Sequence, residues 1–502
     1  MRIEPDFATF ARLHYSGEPQ AVYARLIGDL ETPVSIFLKL SEQRTNCFLL
    51  ESVQGGQTRG RYSVIGIEPD LIWRCRDGKA EISKRGGADA FAPVDKPALS
   101  SLRDVLDGNR MKLPPDLPPM TVGLFGYLGY DIVRLVERLP DPPPDTLNLP
   151  DAILVRPTVV VIFDNVRDEI IVVTPVWPDA AIAAGMAYAD ACERLTHAVQ
   201  QIRGPLPASS RRPDWHKDDS AVQSNISRAD YLSIVERAKE YIRAGDIFQV
   251  VPSQRFRRTF RLPPLDLYRA LRRLNPSPFL YCLAFPEFAL VGSSPEILVR
   301  LRDGTVTIRP IAGTRPRGRT PTEDAALADE LMRDPKERAE HLMLLDLGRN
   351  DVGRVSRTNS VRVTDSFFIE RYSHVMHLVS NVEGEQRDGL DAIDALAAGL
   401  PAGTLSGAPK IRAMEIIDEF ETEKRGAAYA GAVGYFAADG SMDTCIVLRT
   451  ALLKDGTMYV QAGGGVVADS DPAAEYQETV NKAKALFAAA EEAERQAAMN
   501  TA

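Results

Sequence analysis

MYVQAGGGVVADSDPAAEYQETVNKAK, residues 458–484, begins as an apolar strand pattern, meets Gly463-Gly464-Gly465, resumes with Val466-Val467 and then changes to helical spacing. A strand passing through glycine into a helix is how a dinucleotide fold opens, but these glycines do not fit G-x-G-x-x-G and more strand precedes the helix. A doubly wound sheet is therefore a poor match. The glycine run has two readings: a turn, or a place where backbone N–H groups come close to a carboxylate or phosphate.

Working outward, Ser227-Arg-Ala-Asp230 reads as a helix cap, and apolar residues follow at helical spacing until Gly245. Strands are expected next (IFQVVPSQRF, FLYCLAF, FALVGSS, ILVRL, VTIRPIA), then helices in EDAALADELMRD, KERAEHLMLLDLGR and DGLDAIDALAAGL. Further strands follow in AGAVGYFA and TCIVLRTALL, and a helix begins at about Pro472. Upstream, SIFLKL, CFLLESV, YSVIGI, DLIWRC and AEISK read as strands, ILVRPTVVVIFD and DEIIVVTPV as a hairpin, and AAIAAGMAYADACERLTHAVQQIR as an amphipathic helix. The expected organisation is a β-rich unit over 1–203, a linker or exposed loop over 204–226, and a second unit over 227–502. Segregated strands and helices make the class α+β.

With 502 residues, 44% hydrophobic and 26% charged, the chain can bury a large core. No apolar run reaches the roughly 20 residues of a membrane helix, and no leader pattern is visible, so a cytoplasmic protein is expected. Net charge is −9 with both signs interspersed, which argues against a general nucleic-acid surface. Five scattered cysteines without a C-x-x-C pair read as small buried hydrophobes.

Four glutamates form two i,i+3 pairs, Glu337/Glu340 and Glu475/Glu478, each on one helix face. Such pairs are either a solvated face or hard oxygen donors for Mg²⁺. Arg449, in what reads as a strand, needs an anion, which is either a structural carboxylate or a substrate. His374 and His377 either move protons or sit satisfied in a core. TIRPIAGTRPRG, residues 307–318, packs Gly313-Thr314 between two Arg-Pro steps. No G-x-S-x-G elbow or Walker loop occurs, and no cysteine nucleophile stands out.

The stretches GSSPE (292–296), PIAGTRPRG (310–318), AEHLMLLDLGRND (339–351), HVMHLVS (374–380), PAGTLSGAPK (401–410), GAVGY (431–435) and QAGGGVVADSDPAAEYQET (461–479) occur in order. Together they resemble the chorismate-utilising enzymes, most closely the large synthase subunits of the anthranilate synthases. The resemblance implies the fold of that family: packed antiparallel β-sheets forming a sandwich with helices outside. It also implies a lyase of tryptophan biosynthesis that aminates chorismate with ammonia, then eliminates pyruvate to leave anthranilate.

It further implies roles for individual residues. Glu340 and Glu478 would bind Mg²⁺, with Glu337 and Glu475 supporting through water. Gly313, Thr314, Tyr429, Arg449 and Gly463, Gly464 and Gly465 would contact chorismate. Glu296 would act as the acid for the departing hydroxyl, and His377 and Thr404 would lie near the leaving oxygens. Aminodeoxychorismate synthases carry a lysine where this chain has Ala312, and isochorismate and salicylate synthases carry a lysine base where it has Gln249. FLLES (48–52), GRYSVIG (60–66) and NPSPFLYCL (275–283) resemble the family's feedback site, so Ser52, Pro278, Phe279 and Leu280, with Arg61 weaker, would bind L-tryptophan. Ammonia would come from a separate glutaminase subunit, in a heterotetramer of two synthase and two glutaminase subunits.

Overall fold

The computed structural model describes residues 1–42, 44–54, 58–84, 91–140, 142–207, 221–372, 375–426 and 428–499. His374 and most of the expected loop at 204–226 lie outside them, although Gln223–Ser224 form a short strand beside Ser253–Thr259. Among the described residues every strand pair is antiparallel, and none of the helices is long and apolar enough to cross a membrane.

Two long strands, Thr58–Arg76 and Ala152–Asp164, organise the molecule. The sequence suggested separate strands in YSVIGI and DLIWRC, but they are one strand that turns a corner. Pro69 stands opposite Pro157, and the register shifts between Pro69 and Leu71. Two facing prolines have no N–H to give the ladder, so the sheet breaks and bends there.

On one side of the corner a sheet runs from Gln20–Ile27 through Glu169–Val176 and the two long strands to Cys47–Gln54, then through Phe279–Ala284, Ala289–Ser294, Thr450–Lys454 and Thr457–Gly463 to Ser253–Thr259. On the other side a second sheet runs through Gly123–Leu128, Ala432–Ala437, Met442–Ile446, Ile297–Arg302 and Thr305–Ile308 to Val375–Glu385. Strands from both sides of the 204–226 segment are therefore neighbours in both sheets.

Between the sheets lies a core that includes Phe48, Ile72, Phe125, Tyr127, Tyr281, Leu290, Tyr435 and Leu452, with Phe48 and Phe125 stacked at 4.6 Å. Helices cover the outer faces. Ala184–Arg203, Pro264–Leu274 and Pro472–Met499 pack on the first sheet, and Ala98–Asp107, Pro335–Val355 and Ala392–Gly399 on the second. The class is α+β, a sandwich of antiparallel sheets with helices outside, as the motifs implied.

Three expected strands are broken. VTIRPIA divides into Thr305–Ile308 and Ile311–Pro316, and IFQVVPSQRF into Gln249–Val250 and Ser253–Thr259, each break lying beside a proline. CIVLRTALL also divides: Met442–Ile446 belongs to the second sheet and Thr450–Lys454 to the first. Arg449 is not inside a strand but in the link between them, at φ 48°.

Candidate active site

The chain crosses from one sheet to the other twice in neighbouring places. Ala289–Ser294 leads through Pro295-Glu296 into Ile297–Arg302, and Met442–Ile446 leads through Val447-Leu448-Arg449 into Thr450–Lys454. These strands pair with one another on both sheets, so the crossings lie side by side. Ser293 N–H donates to the Arg449 carbonyl at 3.2 Å, and Ile446 N–H to the Glu296 carbonyl at 3.0 Å. An acid and a cation that are 153 positions apart are thus tied backbone to backbone.

Glu296 is 7% exposed. Burial raises its carboxyl to a pKa of about 8, against smaller opposing effects from the Ile311 backbone, Thr404 and Arg449. Its carboxyl is therefore protonated at neutral pH. Thr404 Oγ1 donates to it weakly, at 3.4–3.5 Å. Among the described residues no salt bridge reaches Arg449. Burial lowers its pKa, and Tyr372 and Glu296 act on it in the other direction.

His377 lies on Val375–Glu385, beside Ile311–Pro316. The register shifts between Ala312 and Thr314, around Gly313 at φ +69°. The bulge puts the Gly313 carbonyl 3.0 Å and Thr314 Oγ1 3.1 Å from His377 Nδ1. A carbonyl only accepts, so Nδ1 carries the proton and Nε2 keeps its lone pair. Nε2 is buried and has no hydrogen-bond partner among the described residues. Burial lowers the imidazole to a pKa of about 4, so the ring is neutral. The Tyr372 ring packs edge-on against it at 5.4 Å.

The glycine run packs against Pro252, Tyr429, Glu475 and Gln249. Tyr429 is buried within hydrogen-bonding range of the Gly463 backbone. A Cβ on Gly463 would come within 2.9 Å of the Pro252 carbonyl and of Tyr429 Oη. One on Gly465 would come within 2.6 Å of Gln249 Nε2, and Gln249 Oε1 is buried and unpartnered.

The four glutamates sit on Pro335–Val355 and Pro472–Met499. Glu340 has a raised pKa, first from burial and then from repulsion by Glu337 and Glu478, so carboxylates from the two helices sense each other. Glu475 is also raised, by burial and then by Glu478. It accepts from Ser470 Oγ at 2.7 Å through Oε1, while Oε2 is buried with no partner. A Cβ on Gly464 would lie 3.0 Å from that oxygen. Lys482 bonds Glu478 at 2.7 Å and the Gly463 carbonyl at 2.9 Å. Among the described residues no three potential ligands already meet as a metal centre. Repelling carboxylates with an orphaned oxygen nonetheless fit a hard cation, since Mg²⁺ needs only one or two carboxylates and keeps several waters.

The two arginines of TIRPIAGTRPRG also find their anchors. Arg315 bonds Glu330, Asp334 and Glu337 at 2.8–3.2 Å, and Arg317 bonds Asp324 and the Tyr372 carbonyl at 2.6 Å. Behind Glu296, a cavity of about 710 Å³ between the sheets is lined by Ser52, Arg61, Pro278, Phe279 and Leu280, and also by Pro295, Ile297 and Tyr372. Tyr372 carries no signal in the sequence; it follows Arg362–Arg371, whose pairing with Val375–Glu385 brings it beside His377 and Arg449.

The sequence matches the chorismate binding enzyme family over residues 45–488. It is 58% identical to anthranilate synthase component 1 of Cereibacter sphaeroides, over 97% of each chain. It is 50% identical to the protein of that name from Pseudomonas putida, over 98% and 99%. The crystal structure of anthranilate synthase component I from Streptococcus pneumoniae superposes with a TM-score of 0.75 at 37% identity, covering 92% of this chain and 98% of that one. The menaquinone-specific isochorismate synthase of Escherichia coli, 20% identical with a TM-score of 0.69, shares the fold. The chain belongs to the chorismate binding enzymes, in the branch of the anthranilate synthase component 1 proteins.

Proposed function

We propose that this protein converts chorismate and ammonia to anthranilate and pyruvate. The observation that supports the reading is the buried, protonated Glu296 beside Arg449, a cation with no salt bridge among the described residues. Arg449 takes a carboxylate of the dianionic substrate, and Gly313, Thr314, Tyr429 and the Gly463–Gly465 backbone shape the pocket around it. Ammonia forms the bond to C2 while the C4 oxygen leaves with the Glu296 proton as water, because expulsion of hydroxide near neutral pH is prohibitive. Loss of the C2 proton and cleavage of the C3 ether then release pyruvate. His377 Nε2, neutral and unpartnered, serves this elimination half, with Thr404 near the leaving oxygens.

Glu340 and Glu478 would hold Mg²⁺, with Glu337 and Glu475 supporting, and the ion would supply positive charge for the ring carboxylate. Ammonia is already a nucleophile when neutral. It needs neither a lysine at the Gln249 position to activate water nor one at the Ala312 position to attack the ring.

In this reading a cytoplasmic glutaminase subunit supplies the ammonia, in an assembly of two copies of each chain. L-Tryptophan occupies the inter-sheet cavity at Ser52 and Pro278–Leu280. The decisive assay supplies chorismate, Mg²⁺ and ammonium salt to the purified chain. Fluorescent anthranilate and an equal amount of pyruvate are expected. An aminated product that keeps its pyruvyl group would replace this reading with that of an aminodeoxychorismate synthase.

A further inference from the structure

Behind the substrate wall lies an ion pair that belongs to no role assigned above. Arg425 is 5% exposed and Glu421 9%, four residues apart in the irregular segment just beyond the helix Lys410–Phe420. The guanidinium meets both Glu421 oxygens at 2.8–3.2 Å. Two further donors go to carbonyls in other segments, Leu405 and Val251, each at 2.7 Å. Its face packs on the Tyr429 ring, 5.5 Å from the centroid. Glu421 also accepts from the Ser253 backbone at 2.9 Å and from the Ser253 hydroxyl at 2.7 Å.

Each bond ends next to a residue of the site. Leu405 follows Thr404, the partner of Glu296. Val251 and Ser253 flank Pro252, whose carbonyl accepts from Gly464 N–H at 3.3 Å. Tyr429 faces Gly463. We propose that Glu421–Arg425 is a positioning pair, which holds the Thr404 turn, the Gly463–Gly465 wall and Tyr429 in register before chorismate arrives. The proposal rests on the reading of these residues as the chorismate pocket. Arginine suits the task because its planar five-donor fork can serve a carboxylate and two carbonyls at once, which an ammonium cannot do in the same plane.

Replacing a buried ion pair by apolar side chains of similar size is often neutral for stability, so positioning can be separated from folding. In Glu421→Leu/Arg425→Met we expect a melting temperature near that of the parent. The KM for chorismate should rise and kcat/KM should fall about 100-fold, the scale set by ångström misplacement of reacting groups. A folded double variant with parental kcat/KM overturns the proposal. If the double variant does not fold, Arg425→Lys keeps the charge but not the fork. It should raise KM more than it lowers kcat, and an unchanged KM overturns the proposal. Calorimetric titration of chorismate into parent and variants needs no turnover. Absence of anthranilate from the parent would therefore count against the reaction assigned, while equal chorismate affinity in parent and variants would count against the positioning pair.

Discussion

Glu296 and His377 are both neutral at pH 7 because burial pushes them in opposite directions, to about 8 and about 4. Their linkage to stability is opposite too. Stability from neutral Glu296 is complete below its ordinary 4.5 and is lost as pH rises towards about 8. Stability from neutral His377 is complete above its ordinary 6.5 and is lost as pH falls towards about 4. Glu296→Gln, which cannot ionise, isolates the first effect. The urea midpoint of the parent should fall relative to the variant as pH rises from 4.5 to 8, and parallel curves would show that Glu296 is not buried as an acid. The same variant should lose about 10²–10⁴ in kcat, the usual worth of a general acid. Most of the site's residue types could be read from motifs, because Glu-x-x-Glu and Pro-flanked glycine turns are local. Arg425 could not be. In FETEKRG it looks like one more surface charge, and only the path of the surrounding segments buries it.

At the scale of elements, the two glutamate-bearing helices reach a common region through the glycine run between the last strand and Pro472–Met499. Gly464 leaves room for the free oxygen of Glu475. In the proposed reading, Gly464→Ala should weaken Mg²⁺ activation roughly tenfold, by displacing the carboxylate assigned a supporting role. An unaltered Mg²⁺ requirement would mean that Glu475 plays no part. Because Glu340 and Glu475 hold protons more tightly than usual, a cation must displace those protons. The Mg²⁺ concentration for half-maximal activity should then rise as pH falls, which titrations at about pH 6 and about pH 8 would measure. Some helices were legible from caps and spacing: Ser227 accepts from Asp230 N–H, and Gly245 closes the same helix at φ 83°. SIFLKL was not: its short apolar run reads as a strand, but it lies in the helix Pro33–Ser41, capped by Thr32. Strand ends were less legible. Apolar alternation continues through a crossing such as Leu448-Arg449, although the backbone has by then changed sheets.

At the scale of the molecule, the class could be read from the sequence but not the interleaving, because pairing between Cys47–Gln54 and Phe279–Ala284 leaves no local signal. That pairing brings Ser52 opposite Phe279 at the cavity rim. In the proposed reading, Ser52→Leu should fill the rim and raise the tryptophan concentration for half-inhibition at least about tenfold, with uninhibited kcat unchanged, tenfold being the worth of one lost hydrogen bond. Full sensitivity in that variant would move the inhibitor elsewhere. The two crossings that carry Glu296 and Arg449 also set a tolerance. The spacing of acid and cation is fixed by the count of residues in four paired strands, as the teeth of meshed racks fix two carriages. An inserted or deleted residue between either crossing and the strand pairs that flank it would change that spacing even if every side chain of the pocket were intact.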